Sequence, residues 1–559
     1  MSGIWILGGT ILIFIVAYIT YGSWLARQWG VDPSKETPAH TLDDGTDYVP
    51  VKAPVLLGHH FSSIAGPGAI HGPMQAAIFG WVPVLLWIVI GGIFFGAVQD
   101  FSALFASVRH KGKSLGGVIE ENIGRKSKLC FNIFAWMVVV LMVAALVDIV
   151  AGTFAGFTLD TVSGEMVKNS ANGSVATASM LFIPLAVCFG FINRANAPLA
   201  LTTVIGVLML GGCVTLGLFY PVYLTKTVWL AVIFLYIFAA SVTPVWILLQ
   251  PRDYLNSFLL YLTMTAAIIG IVIANPSVKL EPFTGWSVDG NMLFPFLFVT
   301  VSCGAVSGIH SLVGSGVTSK QLNTEKSVKL IGYGAMLMEG VLAVIALIAV
   351  GYLTKDGVYT EVGTPFQVFS AAIGKFFSAM GISAYGERLL DTIVLLAISA
   401  FALTSLDTAT RVGRLLFQEL FEKQGERNKF FGNGCVATFL TLAAAGALSL
   451  AGYQKIWALF GACNQLVAAF SFLAVACWLK RIGRAHKMLY FPMVFLLVAT
   501  LSSLGMTFYK NLMTLLQKGV GVSWMVQGVQ NVLIAPIFAM AVVMAVDGCR
   551  VLFRKKKLN

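Results

Sequence analysis

The sequence predicts an all-α, polytopic membrane protein of about 15 transmembrane helices, and three observations carry that reading. Of 559 residues, 57% are hydrophobic and only 11% are charged, where a soluble domain carries about 25% charged residues. Apolar runs close to 20 residues long, the length that crosses a bilayer as a helix, recur from one end of the chain to the other. Basic residues gather in alternate loops. A soluble multidomain enzyme, a disordered chain and a disulfide-stapled module are excluded, because so much apolar surface finds no burial in water.

The predicted spans are roughly 3–27, 53–78, 81–108, 129–157, 176–192, 198–220, 227–248, 254–275, 293–317, 328–353, 388–409, 433–452, 455–479, 489–509 and 527–549. The stretch 365–381 is too short and too polar for a span and reads as an amphipathic or re-entrant piece. The first run, MSGIWILGGTILIFIVAYITYG, lacks a basic leader and a small-residue cleavage site, so it reads as a retained helix. With the N-terminus outside, 28 of the 37 basic residues fall in inner segments and 9 in outer ones, which predicts an outer N-terminus and an inner C-terminus. The surplus of basic over acidic residues then reports inner loops and contact with anionic lipid, with no nucleic-acid partner. The eight cysteines form no CxxC pair and read as small packing residues.

Two spans differ from the rest. Span 53–78 contains GHHFSSIAGPGAIHGP, and Ser62–Gly68 packs two serines, two glycines and a proline into seven residues. Proline removes a backbone donor and glycine resists helix, so a break is predicted near mid-membrane. Span 293–317 contains VSCGAVSGIHSLVGSG, with small polar residues concentrated over Ser302–Gly308. Such breaks are tolerated only where the freed peptide groups face protein or a wet cavity. The two run in opposite senses on this topology, as inverted repeats require, and paired broken helices in two inverted halves point to a secondary transporter's binding site. Half-helix N-termini would receive an anionic group.

These blocks, together with GAVQDFSALFASVRHKGKSLG, FALTSLDTATRVGRLLFQE and IWALFGACNQLVAA, resemble the carbon starvation protein A family over about residues 50–480. The resemblance implies an inner-membrane transporter of the amino-acid–polyamine–cation group with LeuT-like five-plus-five inverted repeats. It also implies nutrient uptake in starvation, with peptides or pyruvate as substrates and protons as the coupling ion. Two features depart from the family pattern: the extra C-terminal passes of long members are missing, and the second broken span continues as VGSGVTSK. The expected division is a peripheral first helix (1–28), a first repeat (50–222), two inserted helices (223–290), a second repeat (291–481) and two C-terminal helices with a basic tail (482–559).

The predicted substrate contacts are Ser62, Ser63, Gly66, Gly68, Ser302, Gly304, Ser307, Gly308 and Ser311, with His310 assisting a carboxylate. An intramembrane charge is costly and calls for a role. Glu339, His59 and Asp100 are the coupling candidates, in that order. Asp100 is placed at the inner edge, where a salt bridge to Arg109 or a loop lysine is the plainer reading, and Asp407 is expected to pair with Arg411 one turn on. Adjacent His59 and His60 point about 100° apart on a helix, so one faces the cavity and the other packs. Histidine titrates near neutrality and suits proton binding. His59, His60, His71 and His310 could alternatively hold a metal, but the ligand count is thin, and no metal or other cofactor is predicted. The expected partners are a small-molecule substrate and the lipid bilayer, with the oligomeric state left open. No catalytic constellation and no GxxxxGK[ST] phosphate cradle is seen, so the chain reads as a non-enzyme. The alternatives are a sodium-coupled symporter of amino or organic acids and a membrane nutrient sensor that does not transport.

Overall fold

In lipid a peptide group has no water to bond, so an apolar run has one local solution, the α-helix. The computed structural model describes residues 1–45, 47–159, 165–194, 198–354, 365–378, 381–423, 426–450, 453–518 and 527–553. Helices dominate it, and the only regular strands among the described residues form three short antiparallel ribbons in loops, such as Phe157–Leu159 with Met166–Lys168.

Eleven described helices are long and apolar enough to cross a membrane. With the interrupted and shorter helices between them, the order is α1 (Gly3–Trp29), α2 (Ala53–Ile64), α3 (Gly68–Ala76), α4 (Trp81–Arg109), α5 (Arg125–Phe154), α6 (Ser170–Arg194), α7 (Leu199–Phe219), α8 (Lys226–Val242), α9 (Leu249–Ala274), α10 (Leu293–Thr300), α11 (Gly308–Gly316), α12 (Glu325–Leu353), α13 (Pro365–Ser378), α14 (Ala384–Leu420), α15 (Gly434–Ser449), α16 (Tyr453–Arg481), α17 (Tyr490–Lys518) and α18 (Val529–Phe553). Burial sorts them. In α16, 94% of the most apolar stretch is buried, against 28% in α7 and in α18, so α16 is central and the other two face lipid. The stretch read as amphipathic or re-entrant is the helix α13, whose Phe366, Phe369, Ile373 and Phe376 are buried.

The packing has a paired character. α5 lies along α14; α9 packs on α2 and α14, while α16 packs on α11 and α5. α3 rests against α12, and α11 against α4. α8 and α15 each touch both α5 and α14. α6 and α7 form a hairpin of their own that meets the rest through α9 and α14.

Both predicted breaks are present. α2 stops at Ile64 and α3 starts at Gly68, with Ala65–Pro67 between them; α10 stops at Thr300 and α11 starts at Gly308. The breaks cross each other, and glycine makes the crossing possible. A Cβ on Gly68 would lie 2.4 Å from Cys303 Sγ, and one on Gly72 would lie 2.6 Å from the Thr300 carbonyl. On the far side, a Cβ on Gly308 would lie 2.1 Å from the Asn464 carbonyl of α16.

Several charges lie where the sequence did not put them. α9 starts at Leu249, ahead of the expected 254, so Arg252 and Asp253 are inside the bundle and fully buried. Asp407 does not pair with Arg411. It accepts from Arg252 and from the Tyr236 hydroxyl, while Arg411 donates to the carbonyls of Ala240 and Thr243 at the end of α8. The correction follows from helix geometry: four residues separate Asp407 and Arg411 along α14, but Arg252 on α9 reaches the same carboxylate from across the interface. Nor does Asp100 pair with Arg109, whose guanidinium meets Glu325 at 2.6 Å.

Two consequences are measurable as melting temperature in detergent. Gly308→Ala must push its Cβ into backbone and should destabilise by about 1–3 kcal/mol, whereas Gly316→Ala in the same helix, with nothing within 4 Å of its Cβ, should leave the transition within about 0.5 kcal/mol. Asp407→Asn strands a buried guanidinium and should cost about 3–5 kcal/mol, and Arg252→Met with Asp407→Leu together should recover most of it.

Candidate functional site

The site is built around the two breaks, and neighbouring helices satisfy the peptide groups that the breaks release. Adjacent residues of α16 serve both sides of the second break. Asn464 Oδ1 accepts from the Ile309 amide at 2.8 Å, at the open N-terminus of α11, while Gln465 Nε2 donates to the Phe298 carbonyl at 2.6 Å, at the open C-terminus of α10. Trp87 Nε1 takes the Val301 carbonyl at 3.3 Å, and Asn464 Nδ2 donates to Ser307 Oγ at 3.1 Å. At the first break, Asp253 of α9 plays the corresponding part. Its carbonyl accepts from Ser62 Oγ at 3.0 Å, and its Oδ2 accepts from Ser63 Oγ at 3.1 Å.

His310 is the second residue of α11 after Ile309 is capped, so its ring is thrown toward α4 and α12. Nδ1 lies 2.7 Å from Asp100 Oδ2 and Nε2 lies 3.2 Å from Glu339 Oε2, with all three side chains at most 1% exposed. The last carbonyl of α2 before the break, Ile64, also faces this ring. Gln99, with its amide nitrogen turned toward the acceptors, donates to Asp100 Oδ1 at 3.0 Å and to the Ser307 carbonyl at 2.9 Å, and accepts from Ser311 Oγ at 3.2 Å. An imidazole held between two carboxylates in a dry interior is a place to hold a proton: with the ring charged and both acids ionised the cluster carries one net negative charge, and a further proton neutralises it.

The predicted residues separate into groups. Asp100 and Glu339 converge on His310, and Ser307 and Ser311 join the same hydrogen-bonded chain. His59 is not among them: its Nδ1 lies 2.7 Å from Asp253 Oδ2. His60, on the other side of α2, meets Thr318 Oγ1 at 2.8 Å, so the two histidines do face different ways. His71 packs edge-on against Trp457. Gly68, Gly304 and Gly308 have their open faces filled by Cys303, Ala343 and Asn464 respectively, and act in close packing; Gly66 keeps space toward Ser405. The Ser302 carbonyl accepts from Val306 within the unwound loop at 2.6 Å. Among the described residues no three His, Cys, Asp or Glu side chains are arranged to hold a metal ion.

Cavities approach the breaks from both ends. At the end that carries Arg125, Lys126 and Lys128, a cavity of about 1060 Å³ is lined by Tyr48, Lys113, Ser114, Lys320 and Glu419. A smaller space of about 60 Å³ shares Ser114, Lys320 and Glu419 with it and reaches Leu312 and Ser315 of α11. At the opposite end a cavity of about 140 Å³, lined by Asp148, Asn172, Lys226 and Phe366, reaches His71 of α3.

Sequence reasoning missed Asp253, Arg252 and Gln99. Pro251 was the available signal for the first two, since proline favours the first turn of a helix and so places the start of α9 upstream of Arg252. Gln99 lies beside Asp100 in an apolar run, but nothing in its spacing tells which way its amide points.

The chain matches the family described as carbon starvation protein CstA over residues 2–368 and 356–503. It is 32% identical over 540 residues to the peptide transporter CstA of Bacillus subtilis, covering 87% of each chain. It is 32% identical over 585 residues to the peptide transporter CstA of Escherichia coli, covering 90% of this chain and 81% of the relative. The pyruvate/proton symporter BtsT of Escherichia coli is 30% identical over 609 residues, covering 91% of this chain and 82% of the relative. A multi-pass helical bundle with broken helices crossing at its centre, similar along most of its length to these proteins, belongs to the carbon starvation protein CstA family.

Proposed function

We propose that this protein is a proton-coupled symporter of the inner membrane that imports a small carboxylate-bearing nutrient, a short peptide or pyruvate, in starved cells. The observation that carries the reading is the Asp100–His310–Glu339 cluster, buried against the break of the opposite half. Protonation there changes the charge facing the Ile64 carbonyl, and so changes how α11 and α2 hold each other. Peptide and pyruvate both come from the relatives' names, and both present a carboxylate that a helix N-terminus favours. The charge distribution of the loops supports an outer N-terminus and an inner C-terminus.

The eleven long helices, the two shorter ones (α8 and α15) and the two interrupted segments together support 15 crossings. The paired packing supports two inverted units of five crossings, but divided otherwise than the sequence suggested. In this division α2–α3, α4, α5, α8 and α9 make one unit, and α10–α11, α12, α14, α15 and α16 make the other. α6 and α7 become the inserted hairpin, in place of residues 223–290. Under this division each contact has a counterpart: α3 on α12 mirrors α11 on α4, and α9 on α14 mirrors α16 on α5. Asp253 and Asn464 are then counterparts, each bracing the other unit-mate's broken helix. Cavities that reach the breaks from opposite ends suit alternating access.

Purified protein in proteoliposomes with an outwardly acidic pH gradient should concentrate labelled pyruvate or a dipeptide, and sodium should make no difference. Uptake driven by a sodium gradient alone would replace this reading with sodium coupling; saturable binding without counterflow would replace it with a sensor. Glu339→Gln and His310→Ala should each abolish gradient-driven accumulation while exchange between labelled and unlabelled substrate persists. Full accumulation in both variants removes the cluster from the mechanism.

A further inference from the structure

We propose that His59–Asp253 is a second proton-binding centre, so that each cycle carries two protons; the inference rests on the symporter reading above. The pair lies on α2 and α9 and shares no residue with the Asp100–His310–Glu339 cluster, which lies on α4, α11 and α12. Both side chains are fully buried, with Nδ1 to Oδ2 at 2.7 Å. His59 Nε2, Asp253 Oδ1 and the nearby Asn256 Oδ1 have no partner among the described residues. Buried polar atoms left this way are costly, and here they surround one small space.

Charge counting gives the space its ligand. From α9 the pair is faced by Arg252, from α14 by Asp407 and Thr408, from α8 by Tyr236, and from its own helix by Ser63 and by His60, which is turned away to Thr318. Arg411 of α14 is committed to the carbonyls of α8. Arg252 offsets one of the two carboxylates, which leaves one net negative charge in a dry interior. A single proton on the His59–Asp253 pair cancels it. Without that proton a neutral His59 still donates from Nδ1, and Ser63 still donates to Oδ2, so the pocket has a defined arrangement in both states. Because Ser62 and Ser63 tie the half-helix α2 to the same aspartate, its proton also sets how firmly α2 is held to α9. The proton binds from the outer solution when the site opens outward and leaves to the inner solution when α2 lets go.

The test is electrogenicity. One proton with a monocarboxylate is electroneutral, while two carry one net positive charge inward. In proteoliposomes with labelled pyruvate as the probe, adding an inside-negative potassium diffusion potential of 100 mV to a fixed pH gradient should raise the wild-type accumulation ratio by up to about fifty-fold, since one charge crossing 100 mV is worth about 2.3 kcal/mol. Asp253→Asn should keep accumulation driven by the pH gradient and lose the response to potential, and Asp253→Glu should restore it. A wild type indifferent to potential, or Asp253→Asn responding fully, overturns the second centre and leaves the symporter reading standing. No pyruvate uptake under any gradient counts against the substrate instead. The substrate-free arm then decides: infrared difference titration of the purified protein should show two proton-dependent band sets, one lost in Glu339→Gln and the other in Asp253→Asn. Spectra of Asp253→Asn identical to wild type overturn the proposal.

Discussion

The structure depends on one constraint: a peptide group released inside a bilayer must find a partner in protein, because lipid offers none. Two helices are broken at the centre, and much of the surrounding architecture answers the groups that the breaks set free. Asn464 and Gln465, neighbours on α16, cap the two sides of one break, and Asp253 on α9 braces the residues leading into the other. These residues are polar in the most buried parts of the bundle, where an apolar side chain would pack as well but would leave amides and carbonyls unpaired.

Closeness is the second requirement, and glycine supplies it. The half-helix α3 lies directly on the unwound loop of the other half because Gly68 and Gly72 present no side chain to Cys303 and Thr300. The same crossing brings the Ile64 carbonyl of one break to the His310 ring beyond the other. Small movements of either half therefore act on the proton-holding residues of its opposite, which links charge to shape without a long pathway.

The buried charges follow the same logic. Each broken helix carries a histidine close to its break, His59 in one and His310 in the other, and each histidine meets a carboxylate from a different helix. Arg252, Asp407 and Tyr236 form a third polar group that joins α8, α9 and α14. A buried ion pair adds little net stability over apolar packing, but it penalises any arrangement that parts it. That suits interfaces that must keep one register while half-helices beside them move.

The sequence alone determined the medium, the helical class, the places of the two breaks and the residue types that surround them. Proline, glycine and serine in an apolar run have no other local outcome than a helix that stops. The partners were decided only by tertiary structure. Asp100 looked like an edge residue bound for Arg109, and Asp407 like a partner for Arg411, because a sequence shows neighbours along one helix only; the fold gave both to residues more than 150 positions away. Asp253 was hidden for the same reason, behind a helix start placed five residues late. A side chain's direction in a bundle is set by which faces pack together. That is a property of all the helices at once, whereas a break is a property of a few residues and can be read from them directly.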